Sequence, residues 1–313
     1  MAWRVVSRRS SHQGRRLSTL RESEAPPRES RVQQLAQYAS IELQPKCVEQ
    51  FLETTDAWIP DERLHARRTV FVNMLAGEAS HFRDVGRSVA LLSERGHHPI
   101  PTVPANVFSS ESEAAATLKF LADSGAREAF IVAGKDRGPS SSSSSTGLTA
   151  SALASVAAHH FERLAFPAFP EGGTPEGVEA LERKLLDHQH RPCSVVTQWS
   201  ADTRRTSHWL EDFLATHRGH KVYVGVAGPA PRPKLQSFSE RTHVTLKPPR
   251  GTDLDLFHAP TDAVLALAND IDALNVSPKQ VHLHLFSLKV ARTLAFIHRL
   301  AAGTHANKGN LIP

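Results

Sequence analysis

The sequence predicts an α/β fold, a single-domain (β/α)8 barrel of the TIM type. Three observations predict it. Short β-branched or apolar segments alternate with longer helix-like stretches, there are eight of the short kind, and none is followed by a Gly-x-Gly-x-x-Gly or phosphate-loop motif that would favour a doubly wound open sheet, the main alternative. A chain of 313 residues with 40% hydrophobic content is long enough to bury the core such a barrel needs.

The expected strands are 39–43, 69–74, 100–104, 129–133, 163–168, 194–198, 221–226 and 281–286. Helices are expected at 84–95, 111–124, 148–160, 175–188, 203–217, 261–274 and 288–300. Ser109-Ser110-Glu111-Ser112-Glu113 places hydroxyls and acids where a helix start needs acceptors for its free N–H groups. Ser124-Gly125 and Arg95-Gly96 supply helix stops. The serine run at 140–145 follows Arg137-Gly138-Pro139 and reads as a spacer loop between a strand and a helix.

Residues 1–21 hold six arginines (Arg4, Arg8, Arg9, Arg15, Arg16, Arg21), several serines and no acid, with Trp3, Val5, Val6, Leu17 and Leu20 as apolar surface. This composition predicts a mitochondrial transit peptide and a matrix location, the alternative being a basic arm for nucleic acid. The 37 basic and 32 acidic residues of the whole chain leave +5; without the six leader arginines, 31 face 32 and the body carries −1. No interleaved basic and aromatic stretch occurs in that neutral body, so nucleic acid is not an expected partner. Residues 22–35 read as a polar linker, 36–303 as the barrel and 304–313 as a tail. No apolar run approaches the roughly 20 residues of a membrane span, and a soluble protein is expected. Cys47 and Cys193 alone cannot build a disulfide scaffold or a cysteine-rich zinc site.

Glu42 in Ser40-Ile41-Glu42-Leu43 is the first candidate for chemistry, because a carboxylate among apolar neighbours costs on the order of 2 to 7 kcal/mol unless it is paired or protonated. The plain alternative is a strand residue facing water. Among the 18 histidines, His282 and His284 alternate by two and share one side of a strand. None falls in His-Glu-x-x-His or another metal-ligand spacing, so no metal is expected. No Gly-x-Ser-x-Gly elbow suggests a serine hydrolase.

The order of strand-end motifs resembles the methylenetetrahydrofolate reductase family, in its short forms that consist of the catalytic barrel alone. The segments that carry the likeness are Ser40-Ile41-Glu42, Ala133-Gly134-Lys135-Asp136, Phe169-Pro170-Glu171-Gly172, Val196-Thr197-Gln198 and Val224-Gly225-Val226-Ala227-Gly228-Pro229. The resemblance implies an oxidoreductase of one-carbon metabolism that passes a hydride from NAD(P)H through FAD to 5,10-methylenetetrahydrofolate. It implies Glu42 as general acid, Gln198 as the amide that hydrogen-bonds the folate, and Gly134, Asp136, Arg183 and Lys184 as cofactor contacts. Read without it, Asp136 and Arg137 are an exposed turn, Arg183 and Lys184 a solvated helix face, and Gln198 a loop or capping residue. Trp199 is open to either ligand stacking or packing at the barrel rim.

The chain also departs from the family pattern. Thr102 and Asn106 stand where a histidine and an arginine are usual, Lys135 intervenes between Gly134 and Asp136, the Phe169 to Pro175 stretch lacks both family histidines, and Ser287-Leu288-Lys289 replaces a glycine turn. These losses motivate a second expectation: a catalytically degenerate barrel, with Trp199 and Phe169 filling the cleft, kept as a structural or interaction subunit of a mitochondrial assembly; a homo-oligomer is the other expected association.

Overall fold

The computed structural model describes residues 30–57, 68–73, 81–134, 147–171, 175–246, 257–258, 260–277 and 279–303. In chain order the elements are α1 (Arg31–Gln37), β1 (Ser40–Leu43), α2 (Val48–Ala57), β2 (Thr69–Val72), α3 (Phe82–Glu94), β3 (His98–Pro104), α4 (Glu111–Asp123), β4 (Glu128–Val132), α5 (Ala150–Ala157) and β5 (Arg163–Ala168). There follow α6 (Pro175–Asp187), β6 (Ser194–Thr197), α7 (Thr203–Thr216), β7 (Lys221–Ala227), β8 (Ala230–Pro231), α8 (Arg232–Thr242), β9 (Phe257–His258), α9 (Thr261–Ala273), β10 (Val281–Phe286) and α10 (Val290–Ala301). Eight parallel strands close in the order β1-β10-β7-β6-β5-β4-β3-β2, the (β/α)8 barrel that the sequence predicts, and β8 pairs antiparallel with β9 outside it.

Strand alternation sorts the side chains. On β1, Ile41 and Leu43 point outward into the helix-facing core, while Ser40 and Glu42 point into the barrel. Phe71, Ile100, Phe130, Ala165, Val196 and Tyr223 fill the middle of the barrel as an apolar plug, with Phe71 edge-on to both Phe130 and Tyr223. Burying such a side chain contributes about 1.5 to 3 kcal/mol. Below the plug, at the strand N-termini, Glu128 Oε2 lies 3.4 Å from His98 Nε2 and 3.7 Å from Arg163 Nε. The polar residues above the plug form the candidate site.

Helix starts follow the caps that the sequence shows. Ser110 Oγ accepts from the Glu113 N–H at 3.3 Å, and the Ser109 N–H donates to Glu113 Oε2 at 2.9 Å. The segment read as a linker differs: from Arg31 it is helix α1, with a Ser30 and Gln33 capping box, buried Val32, Leu35 and Ala36, and the Arg31 guanidinium donating to the Val276 carbonyl at 2.6 Å. Helices α2 and α8 also go beyond the expected set. The leader at 1–21 and the serine run at 140–145 lie outside the described residues.

Candidate active site

Glu42 faces inward near the C-terminal end of β1, the end at which TIM-barrel sites are built. Its side chain is 17% exposed, open enough to be reached and closed enough to be held. Asn73, just past β2, donates from Nδ2 to Glu42 Oε1 at 2.9 Å. The other oxygen, Oε2, lies 3.9 Å from Nε2 of His284, beyond hydrogen-bond reach. His284 is fully buried on β10. Its Nδ1 is 2.9 Å from Ser40 Oγ, and its ring is edge-on to Phe71 at 4.7 Å and Phe286 at 4.8 Å. Neither Asn73 nor His284 is among the candidates read from sequence. The His282-x-His284 alternation placed the two histidines on one side of a strand, but only the pairing of β10 with β1, Ser40 opposite His284, joins His284 to Glu42.

Gln198 follows β6 at the same end of the barrel and is half-buried. Its Oε1 accepts the Trp199 N–H at 3.1 Å, so Nε2 is the end of the amide available to a ligand. The strand end is held from two sides. Thr197 Oγ1 accepts the Gly225 N–H at 2.8 Å, and a side chain at Gly225 would meet the Thr197 carbonyl, the Trp199 amide nitrogen at 2.9 Å and the Phe286 ring at 2.8 Å. Only glycine permits that close approach of β7 to the end of β6. Glu171 of the Phe-Pro-Glu-Gly stretch accepts from Ser200 Oγ at 2.6 Å and from the Ala201 and Asp202 N–H groups at 2.7 and 3.2 Å. It thereby ties the loop after β5 to the loop after β6.

Of the two suspected filling residues, Trp199 is buried in a cluster with Ala227, Phe238 and Phe286 at the C-terminal end of the barrel, and Phe169 is exposed. Trp199 stacks on Phe238 of α8 at 5.4 Å and donates its indole N–H to Thr242 Oγ1 at 2.8 Å, under the helix. Phe169 is 45% exposed.

Of the residues expected to hold FAD, Gly134, Arg183 and Lys184 are among the described residues. Asp136 lies outside the described residues, as does Lys135. Gly134 has φ +91°, and the space a side chain would take there is filled by the Asn106 amide. Arg183 is exposed on α6, whereas Lys184 is buried against the barrel wall with Nζ 5.8 Å from the centre of the Phe166 ring. Burial pushes the Lys184 ammonium below its ordinary range. Facing different surroundings, Arg183 and Lys184 do not form a paired phosphate clamp.

Among the described residues no three His, Cys, Asp or Glu side chains converge where a metal ion could be held, and no helix is long and apolar enough to cross a membrane. No protein-family profile matches the chain. Solved structures similar to it include a tryptophan synthase α-subunit variant from Pyrococcus furiosus, at 10% identity and TM-score 0.47 over 85% of this chain and 96% of that one. A mandelate racemase/muconate lactonizing enzyme from Bordetella bronchiseptica RB50 matches at 11% identity and TM-score 0.45 over 84% and 56%. An endo-1,4-β-xylanase from Caldicellulosiruptor owensensis matches at 9% identity and TM-score 0.48 over 82% and 87%.

Proposed function

We propose that the mouth of this barrel is an acid–base site for a folate-class substrate, of the methylenetetrahydrofolate reductase type, with Glu42 as proton donor and Gln198 as hydrogen-bonding partner of the pterin edge. The observation that carries the reading is the placement of Glu42. It points into the barrel near the catalytic end, one oxygen fixed by Asn73 and the other beside a buried imidazole, where the plain alternative has it in water. In this reading Glu42 gives its proton to a nitrogen of the substrate's imidazolidine ring. The bond from that nitrogen to the bridging carbon breaks with its electron pair going to the nitrogen. An iminium carbon able to take a hydride from a reduced nicotinamide remains, and Glu42 is left as carboxylate.

Glu42→Gln removes the proton and little volume. With NAD(P)H and FAD supplied, folate reduction should fall by about 10²- to 10⁴-fold, the usual contribution of a positioned acid, while folate binding persists. Equal rates in variant and parent would show that Glu42 is not the acid.

The buried Lys184 and the Asn106-filled space at Gly134 favour a second reading, in which the barrel has lost its flavin and serves as an interaction subunit of a mitochondrial assembly. The absorbance spectrum of the purified chain, taken before and after addition of excess FAD and desalting, separates the two. Retained flavin bands support the reductase, and a colourless protein supports the scaffold.

A further inference from the structure

The inference rests on the reading of Glu42 as acid and concerns how its proton is kept. Ser40 Oγ has two polar neighbours, the Leu283 carbonyl at 3.3 Å and His284 Nδ1 at 2.9 Å, and only one hydrogen to give. A carbonyl oxygen can only accept. In the tautomer that the inference requires, the Ser40 hydrogen lies on Leu283 and Nδ1 carries its own hydrogen, donated to Ser40 Oγ, which leaves Nε2 bare; in the other, Ser40 donates to Nδ1 and the ring hydrogen sits on Nε2, toward Glu42. Among the described residues that nitrogen is buried without a hydrogen-bond partner, and Glu42 Oε2 stands 3.9 Å away. A buried ring nitrogen left unpaired carries a desolvation cost that a shared proton relieves.

We infer that His284 is a positioning residue whose Nε2 is a second seat for the proton of Glu42, so that carboxyl and imidazole titrate as one unit. When the proton sits on Oε2, His284 is neutral; when it sits on Nε2, an imidazolium faces a carboxylate. The hydrogen bond from Nδ1 to Ser40 is the same in both states, so the proton moves without rearrangement of the strand. Asn73 holds Oε1 and thereby turns Oε2 toward the ring. Contraction of the 3.9 Å gap is the tightening expected of a catalytic hydrogen bond when a ligand closes the site. The neighbours of the pair are Ser40 on β1, Phe71 and Asn73 from β2, Tyr223 on β7 and Phe286 on β10. The titratable neighbour is Tyr223, and behind it lies His282, the next inward residue toward the start of β10. Burial pushes the Tyr223 hydroxyl well above its ordinary range, so it stays neutral, and the ring nitrogens of His282 lie 3.3 and 2.8 Å from the Tyr38 and Lys279 carbonyls.

The test is an NMR titration of the full chain, with 13C in the glutamate carboxyls and 15N in the histidine rings, signals being assigned through Glu42→Gln. In the parent, the Glu42 carboxyl should show a step at the pH where the His284 ring titrates. In His284→Gln the carboxyl should titrate in one step with its midpoint moved by about one pH unit or more, the size of interaction that makes two sites a pair. Ser40→Ala keeps the ring but frees its tautomer, and should move the midpoint by about half a unit or more. Ser40→Ala decides the matter should His284→Gln fail to fold. A Glu42 midpoint unchanged in the folded variants overturns the pairing. Coupled titration in a protein that never reduces folate keeps the pairing and removes the reductase. Folate reduction that depends on Glu42 without coupling does the reverse.

Discussion

His97, in the turn before β3, packs its ring edge-on against Phe51 at 5.2 Å, and its Nδ1 is buried without a hydrogen bond among the described residues. Burial first, then the Arg68 charge, push it from 6.5 down to about 4, against a smaller opposing pull from Asp56. The folded protein therefore binds fewer protons here than the unfolded chain between those two values. Stability contributed by neutral His97 is complete above about 6.5 and is lost as pH falls toward 4. Urea denaturation at a series of pH values should show this loss, flattened in His97→Gln. An acid limb of the same slope in that variant would place the proton elsewhere. Lys184 is the second residue that burial changes. It lies on the same helical stripe as Leu181, Leu185 and His188, all of them buried. That 3-and-4 spacing was visible in the sequence, but a basic pair reads by default as a solvated face, and the lysine stem can lie along Phe166 with little cost.

At the scale of elements, α8 is held to the top of the barrel by Trp199, by Phe238 against Phe286 and by Lys234, whose ammonium donates to the Leu288 carbonyl. Trp199 is buried against Phe238, Leu235 and Val244 and bonds Thr242, so Trp199→Ala should lower stability by about 3 to 5 kcal/mol in urea denaturation. A loss under about 1 kcal/mol together with a large loss of folate affinity would instead make the ring a ligand contact. The strands of the barrel were legible because parallel strands covered on both faces read as short apolar runs, and α4 because Ser110 and Glu113 form its cap. Helix α2 was missed because Val48–Ala57 follows a proline turn and carries two adjacent threonines, and α8 because Pro233 stands in its first turn. Helix α1 is short and shows its polar side to water, so its composition matches a linker. Glu42 could be picked out locally as a carboxylate in an apolar strand, whereas Gln198 was singled out only through the family resemblance. The link from Glu42 to His284 could not, since it exists only where barrel closure sets β1 beside β10.

The whole molecule separates its tasks along the barrel axis. An aromatic and aliphatic plug around Phe71 and Tyr223 divides a charged N-terminal end, built on Glu128, His98 and Arg163, from a C-terminal mouth where Glu42, Asn73 and Gln198 stand. In TIM barrels the first end serves stability and the second serves chemistry. The central claim is that this mouth takes a folate. Isothermal titration of the full chain with 5-methyltetrahydrofolate, beside Gln198→Ala, tests it most directly and does not depend on flavin or turnover. The account predicts saturable one-site binding in the parent, weakened about 10-fold in Gln198→Ala, the loss of about 1.4 kcal/mol expected for one hydrogen bond. No binding heat in the parent, or equal affinity in the variant, would contradict it.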